Sequence, residues 1–340
     1  TTIDSGDDSG YYAYLRSAFF DGDWDFINEG NYVHSERFTS TGYVFNNWQI
    51  GQSILFLPFF LVGHLVALIY NSLGYDVSVD GYSAPYHFST AIASATYVFI
   101  GLVLLFQVLR KYFSEITAFI TTLSIWLGSP LLYYTFIRQR MAHGTEFCFS
   151  ILFLSLWLSY RASGNKWHHG LMGAVLGFLC MIRMINAVYF ALYFADQFWQ
   201  WVSSSEKPGE RKSRLACLAG FSLLFVVVLT PQLYTWNQLN GDIFSYFKKI
   251  LGIVHGQVQI NASPARVFDK IYSLFLDPKW SLVISTPILF MGFIGVLFLR
   301  PSPREIRPGL IVFFVFFPLA FLATTFDSAA YGSRYWISGM

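Results

Sequence analysis

The chain opens with about fifty residues of mixed polarity and then turns to long apolar runs separated by short charged turns. Runs of about 18 or more residues without a charge have the length and character of membrane-crossing helices. Such runs, with some shorter ones, fall at 51–73, 88–110, 114–137, 144–160, 170–183, 185–202, 215–236, 281–299 and 309–326. They predict an all-α, polytopic membrane helix bundle with an external loop that carries juxtamembrane helices. Two places break the regularity. Pro58, Gly63 and His64 interrupt the first run, and the pair 170–183 and 185–202 is short for two full crossings at 1.5 Å per residue. Arg183 and Asn186 lie at the hinge of that pair, where helices that stop part-way would leave a cavity in the outer leaflet.

Composition makes the membrane reading firm. Apolar residues are 54% of the chain, charged residues 12%, and the mean hydropathy is +0.46, against about 25% charged in soluble domains. The net charge of +2 decides little, but the placement of the basic residues decides orientation. Arg110-Lys111, Arg161 with Lys166, the group Lys207, Arg211, Lys212 and Arg214, and the group Arg300, Arg304 and Arg307 follow every second run. With these turns cytoplasmic, residues 1–50, 237–280 and 327–340 share the opposite side. That parity closes if 51–73 lies at the outer face as a juxtamembrane or re-entrant helix rather than crossing. The expected organisation is an acidic external part (1–87), a transmembrane bundle of about eight spans (88–326) with an external loop at 237–280, and an external segment from 327 to 340. Cys148, Cys180 and Cys217 sit in apolar runs without paired spacing and read as buried thiols. No Met or signal peptide opens the chain, so it reads as an internal fragment that has lost a preceding membrane helix.

Candidate chemistry gathers at helix ends. Asp7 and Asp8 precede a run with helical spacing (Tyr11, Tyr12, Leu15, Ala18, Phe19), with Asp8 or Ser9 as the expected cap and Asp21-Gly22 as the stop. The pair is either an acidic helix start or a working pair of carboxylates at a membrane surface. Asp21, Asp23 and Asp25 imitate a calcium loop, but Phe26 and Tyr32 occupy positions where Gly and Glu are needed, so a solvated turn is expected. Arg138, Arg140 and His143 stand at the outer end of a run, either snorkelling to lipid phosphates or binding an anionic substrate. Arg183 lies in an apolar hairpin where an unpaired guanidinium is costly, and Arg334 follows the small residues Gly332 and Ser333. His168-His169 reads as interfacial, and the sequon at Asn261 is followed by Pro264 and carries little weight.

Taken together, Gly6-Asp7-Asp8 with Tyr11-Tyr12, Asp21-Gly22-Asp23 and Asn28-Glu29 resembles the first external loop of the C-type membrane glycosyltransferases. The branch it resembles holds the protein O-mannosyltransferases and the bacterial aminoarabinose transferases that use polyprenyl-phosphate sugars. Gly51 to Phe60, Ser129 to Tyr134 with His143, Arg183, Ser285-Thr286-Pro287 and Tyr331 to Arg334 continue the likeness along the chain. The second acidic position, often Glu in that family, is Asp8 here, and Ser9-Gly10 stands where many relatives have Pro-His. The resemblance implies an inner-membrane enzyme of bacteria working at the periplasmic face. It implies Asp7 as base with Asp8 beside it, Arg183, Arg334, Arg138 and Arg140 on the donor phosphate, and Tyr11, Tyr12 and His143 on substrate. The partners implied are a polyprenyl-phosphate sugar donor, a lipid, glycan or protein acceptor, and membrane lipids, with no nucleic acid. No cofactor is firmly implied, although a divalent cation on Asp7 or Asp8 would suit the donor phosphate. The chemistry is coherent by itself: the donor already has a good leaving group, one carboxylate takes the acceptor proton, and arginine forks stabilise the departing phosphate. Direct displacement implies inversion. Two other classes would leave different marks. A transporter or lipid flippase wants ionisable residues within full-length spans, and a polysaccharide ligase or polymerase would rest on the external Arg and His residues alone.

Overall fold

A computed structural model describes residues 7–29, 38–203 and 208–245, with isolated positions beyond. Regular structure among the described residues is helical apart from one isolated bridge between Phe38 and Val44. The helices are α1 (Asp7–Arg16), α2 (Gly51–Ser72), α3 (Ala84–Leu109), α4 (Glu115–Leu127), α5 (Leu131–Phe136), α6 (His143–Ser163), α7 (Trp167–Ile182), α8 (Val188–Ser203) and α9 (Pro208–Asn240). Three of them, α2, α3 and Gly209–Asn240 of α9, are long and apolar enough to cross a membrane; α4 and α7 are shorter and apolar. The expected runs at 281–299 and 309–326 lie outside the described residues.

Most boundaries follow the apolar pattern, and the exceptions have local causes. Residues 114–137 were expected as one span but form α4 and α5, because Pro130 has no N–H to continue a helix and the Ser129 hydroxyl accepts Leu131 N–H at 3.2 Å to start a new one. Trp126 Nε1 donates to Thr135 Oγ1 across the break. Residues 51–73 are not re-entrant: α2 runs unbroken for 22 residues through Pro58. α1 is already helical at Asp7, so Asp8 and Ser9 lie inside its first turn and are not its caps. After α1 a π-helical turn (Ser17–Asp21) ends at Gly22, whose left-handed backbone donates to Ser17 O at 2.9 Å, at the expected stop.

Close contacts fix the directions of the helices. Gly101 of α3 faces Phe147 and Cys148, while Gly144 of α6 faces Ser94 and Val98, so α3 and α6 run parallel. α7 carries Gly173 and Gly177 four residues apart, facing the carbonyls of Phe221 and Phe225 in α9; this small-residue stripe lets two parallel backbones touch. α2 is antiparallel to α3: Tyr97 OH donates to Leu55 O at 3.2 Å, and Gly63 lies against Pro85 and Tyr86. The start of α3 therefore sits beside the middle of α2, whose last turns extend past it with Leu65, Leu68, Ile69 and Tyr70 exposed.

The two ends of the bundle differ in chemistry. At one end, Arg161 of α6 pairs with Asp196 of α8 at 3.4 Å and Arg214 donates to Gln197 O at 2.8 Å. At the other end, the stretch 38–50 caps α9. Ser40 Oγ donates to Asn240 O at 3.0 Å and Ile50 N–H to Gln232 Oε1 at 2.9 Å. The acidic segment after α1 is a built turn. Asp23 accepts Asp25 N–H and Asp25 accepts Ile27 N–H, while Arg16 holds Asp21 and, at 2.6 Å, Glu29.

The α7–α9 contact makes a direct prediction. Gly173→Leu forces a side chain into the Phe221 backbone and should cost about 1–3 kcal/mol by overpacking. Gly220→Leu meets open space and should be near neutral. Thermal unfolding of both variants in detergent separates them; equal losses would mean the helices are not in backbone contact.

Candidate functional site

The site begins with two adjacent carboxylates that helical geometry sends different ways, about 100° apart. Asp8 is 4% exposed and accepts from Arg138 Nη2 at 3.0 Å, whereas Asp7 is half-buried. Arg138 and Arg140 lie in the tight turns between α5 and α6, and Arg140 Nη1 reaches His87 O at 3.4 Å. Burial raises the Asp8 carboxyl above the ordinary carboxylate range, against the opposing pull of Arg138 and Arg140. Arg138 keeps a buried Nε with no hydrogen bond among the described residues. A guanidinium with one side on a carboxylate and another donor unmet is suited to an incoming oxyanion.

The second cluster lies where α7 stops. Arg183 leaves the helix with extended backbone (φ −154°, ψ 126°), and its N–H closes the last turn on Leu179 O at 2.9 Å. Asn186 Nδ2 donates to the same carbonyl at 3.2 Å, and a short 3-10 turn (Met184–Ala187) leads into α8. The Arg183 side chain crosses to α6, where Nη1 meets Glu146 Oε2 at 2.8 Å and His143 Nδ1 at 3.4 Å. His143 Nδ1 is itself 3.3 Å from the same Glu146 oxygen, and its ring packs on Tyr134 with centroids 4.3 Å apart. Sequence reasoning found Arg183 and the hinge but missed Glu146. The signal was a lone carboxylate three residues after His143 at the head of an apolar helix, where an ionisable residue needs a partner.

A small apolar cluster brings the two parts together. Tyr11, Leu55, Ala142 and Ile182 pack on one another, and in sequence they neighbour Asp8, His143 and Arg183. α2 starts directly on this junction: a Cβ at Gly51 would stand 2.5 Å from Met181 C, so only glycine lets the helix approach. Gln52 accepts from Thr145, which ties α2 to α6 beside Glu146. Asp8, Arg138, Arg140, His143 and Arg183, all read from the sequence, thus surround one junction of α1, α2, α6 and α7. Tyr11 and Tyr12 are 3% and 1% exposed. Tyr11 O accepts Ser53 Oγ at 2.6 Å, and Tyr12 donates to Gly81 O with its ring against Phe60 and His87. Arg334 lies outside the described residues. Among the described residues no group of three or more His, Cys, Asp and Glu side chains is arranged to hold a metal ion, and the Asp8 carboxylate faces an arginine.

No family model matches the chain, and neither a curated protein nor a solved structure matches it.

Two predictions test the electrostatics. Glu146→Gln leaves the Arg183 guanidinium, 13% exposed, without its carboxylate and should destabilise by about 3–5 kcal/mol. Adding Arg183→Met should recover most of that loss in thermal unfolding, and a double variant as unstable as the single one would dismiss the pair. In the turn after α1, burial pushes Glu29 up to about 7 from its ordinary 4.5 despite Arg16. The folded state then holds the proton more tightly than the unfolded state. The stability from Glu29 is complete below pH 4.5 and is lost as pH rises through about 7, with a slope of at most about 1.4 kcal/mol per pH unit. Glu29→Gln should flatten that part of the melting profile; parallel profiles would refute the shift.

Proposed function

We propose that the chain is a membrane glycosyltransferase that moves a sugar from a polyprenyl-phosphate donor to an acceptor hydroxyl at the non-cytoplasmic face. The observation that carries this reading is the gathering of Asp8, Arg138 and Arg183 at one junction, with Asp7 next to Asp8 in the chain, at the end of the bundle opposite Arg161 and Arg214. The likeness of the acidic opening to the C-type transferases is consistent with it, and so are three helices long and apolar enough to cross a membrane.

In this reading Asp7 is the base. It takes the proton of the acceptor hydroxyl as the acceptor oxygen bonds to the anomeric carbon. The bond from that carbon to the phosphate oxygen breaks on the opposite face, so the configuration inverts. The polyprenyl phosphate leaves with one more negative charge, which guanidinium groups are suited to meet. Arg138 has a buried Nε to offer, and Arg183 is held at the helix break by Glu146. Asp8, engaged by Arg138, orients that arginine and not the acceptor. The chain's basic turns then face the cytoplasm of a bacterial inner membrane.

Single-turnover transfer with saturating lipid-phosphate sugar tests the assignment. Asp7→Asn should lower the rate by about 10²–10⁴-fold with donor binding intact, while Asp8→Asn and Arg183→Lys should weaken donor binding more than the chemical step. Full activity in Asp7→Asn would remove the base from this position. Loss of transfer in Arg138→Ala alone, with Asp7→Asn active, would favour a ligase or polymerase built on the external arginines.

A further inference from the structure

At the opposite end of the bundle, between α6, α7, α8 and α9, lies a pocket of about 240 Å³ that the transferase reading leaves unused. Its wall includes Lys166, His169, Gln197 and Arg214, with Glu210 and Cys217 alongside. The elements bring these groups in for sequence reasons. Gly164 ends α6 in a left-handed turn, which delivers Lys166 to the start of α7, and the basic opening of α9 delivers Arg214.

Beneath the rim is a buried polar floor. Asp196 is fully buried, pairs with Arg161 and accepts Gln200 Nε2 at 2.8 Å. His169, 2% exposed, meets Tyr193 OH through Nδ1 at 2.7 Å, which leaves Nε2 as a donor when Nδ1 accepts that hydroxyl. Gln197 is 5% exposed, and its side chain is hydrogen-bonded to the Tyr160 hydroxyl on the pocket wall. The His169 Nε2 donor and the two cations of the wall together call for an acceptor. A histidine donor on the floor and a lysine and an arginine on the wall, with Glu210 the one carboxylate lining the pocket and Asp196 beneath it held by Arg161, suit an anion better than a cation. Basic pockets between transmembrane helices at the positive end of a membrane protein take anionic headgroups. Trp167, Trp199 and Trp201 are exposed at the same end, as expected of an interfacial belt.

We propose that this pocket binds a phosphate group, carried by an anionic lipid headgroup of the adjoining leaflet or by free phosphate. The proposal rests on the membrane character of the helices and not on the transferase reading, so either can fail without the other. The test is thermal unfolding of the purified chain in neutral detergent, titrated with phosphatidylglycerol, with phosphatidylcholine as control, and separately with inorganic phosphate. Stabilisation by phosphatidylglycerol alone supports the lipid source, and stabilisation by inorganic phosphate supports the soluble one. Lys166→Gln, at an exposed position, should raise the titration midpoint about 5-fold, and Lys166→Gln with Arg214→Gln about 10- to 30-fold. Lys212→Gln, exposed and outside the pocket, should leave it unchanged. No selective stabilisation by either anion, or an equal response in wild type and Lys166→Gln, would overturn the proposal.

Discussion

A guanidinium at the tip of an apolar helix cannot stay without a counter-charge, and here that demand shapes the whole bundle. Arg183 is met by Glu146 on α6, and to reach it the chain must abandon helical geometry right after Ile182. α7 is therefore 16 residues long beside the 33 of α9. The space above its end is what α2 and the 137–142 turns occupy, with Gly51 seated on Met181 and Ile182. Remove the ion pair and α7 has no reason to stop there.

The N-terminal segment is anchored around this gap. α1 lies along α2, with Ser53 bonded to Tyr11 O and Phe60 packed on Tyr12. Asn46 bonds Gly10 O at 2.9 Å and accepts Trp48 N–H at 3.1 Å, which lays the Trp48 ring over Gly10. The same stretch is tied to the end of α9 through Ser40 and Ile50. Asp8 consequently reaches Arg138 from a helix clamped on both sides. The burial that fixes its position also raises its proton affinity.

What could be read from the chain alone follows from the range of each interaction. Apolar runs report helices directly, so α3, α6, α7 and α8 fall close to the expected bounds, and the shortness of the α7–α8 pair marked Arg183 as a hinge. The break at Gly128-Ser129-Pro130 was visible as residues but lost in the hydropathy of the run around it. Partners distant in sequence were not legible. Nothing local ties Asp8 to Arg138 across 130 positions, or Arg183 to Glu146 across 37. Glu146 escaped notice because one carboxylate scarcely alters the average of the apolar helix that carries it. Tyr11 and Tyr12 drew attention as aromatic neighbours of the acidic pair, yet their burial is a property of the packing that α2 and α3 impose.

α6 unites these observations. It carries Glu146 in its first turn and Arg161 in its last, the signs that suit the dipole of a helix at either end. Each is used again in tertiary structure: Glu146 holds the tip of α7 through Arg183, and Arg161 holds α8 through Asp196. A helix pinned by opposite charges at opposite ends cannot slide along its neighbours without separating both pairs in low dielectric. Slippage by one turn, about 5.4 Å, would break two buried ion pairs together. The depth of α6 is therefore fixed, and with it the heights of His143 at one end and of the Asp196 floor at the other. The candidate site and the pocket at the basic end are thus positioned by the same helix, through the same kind of bond.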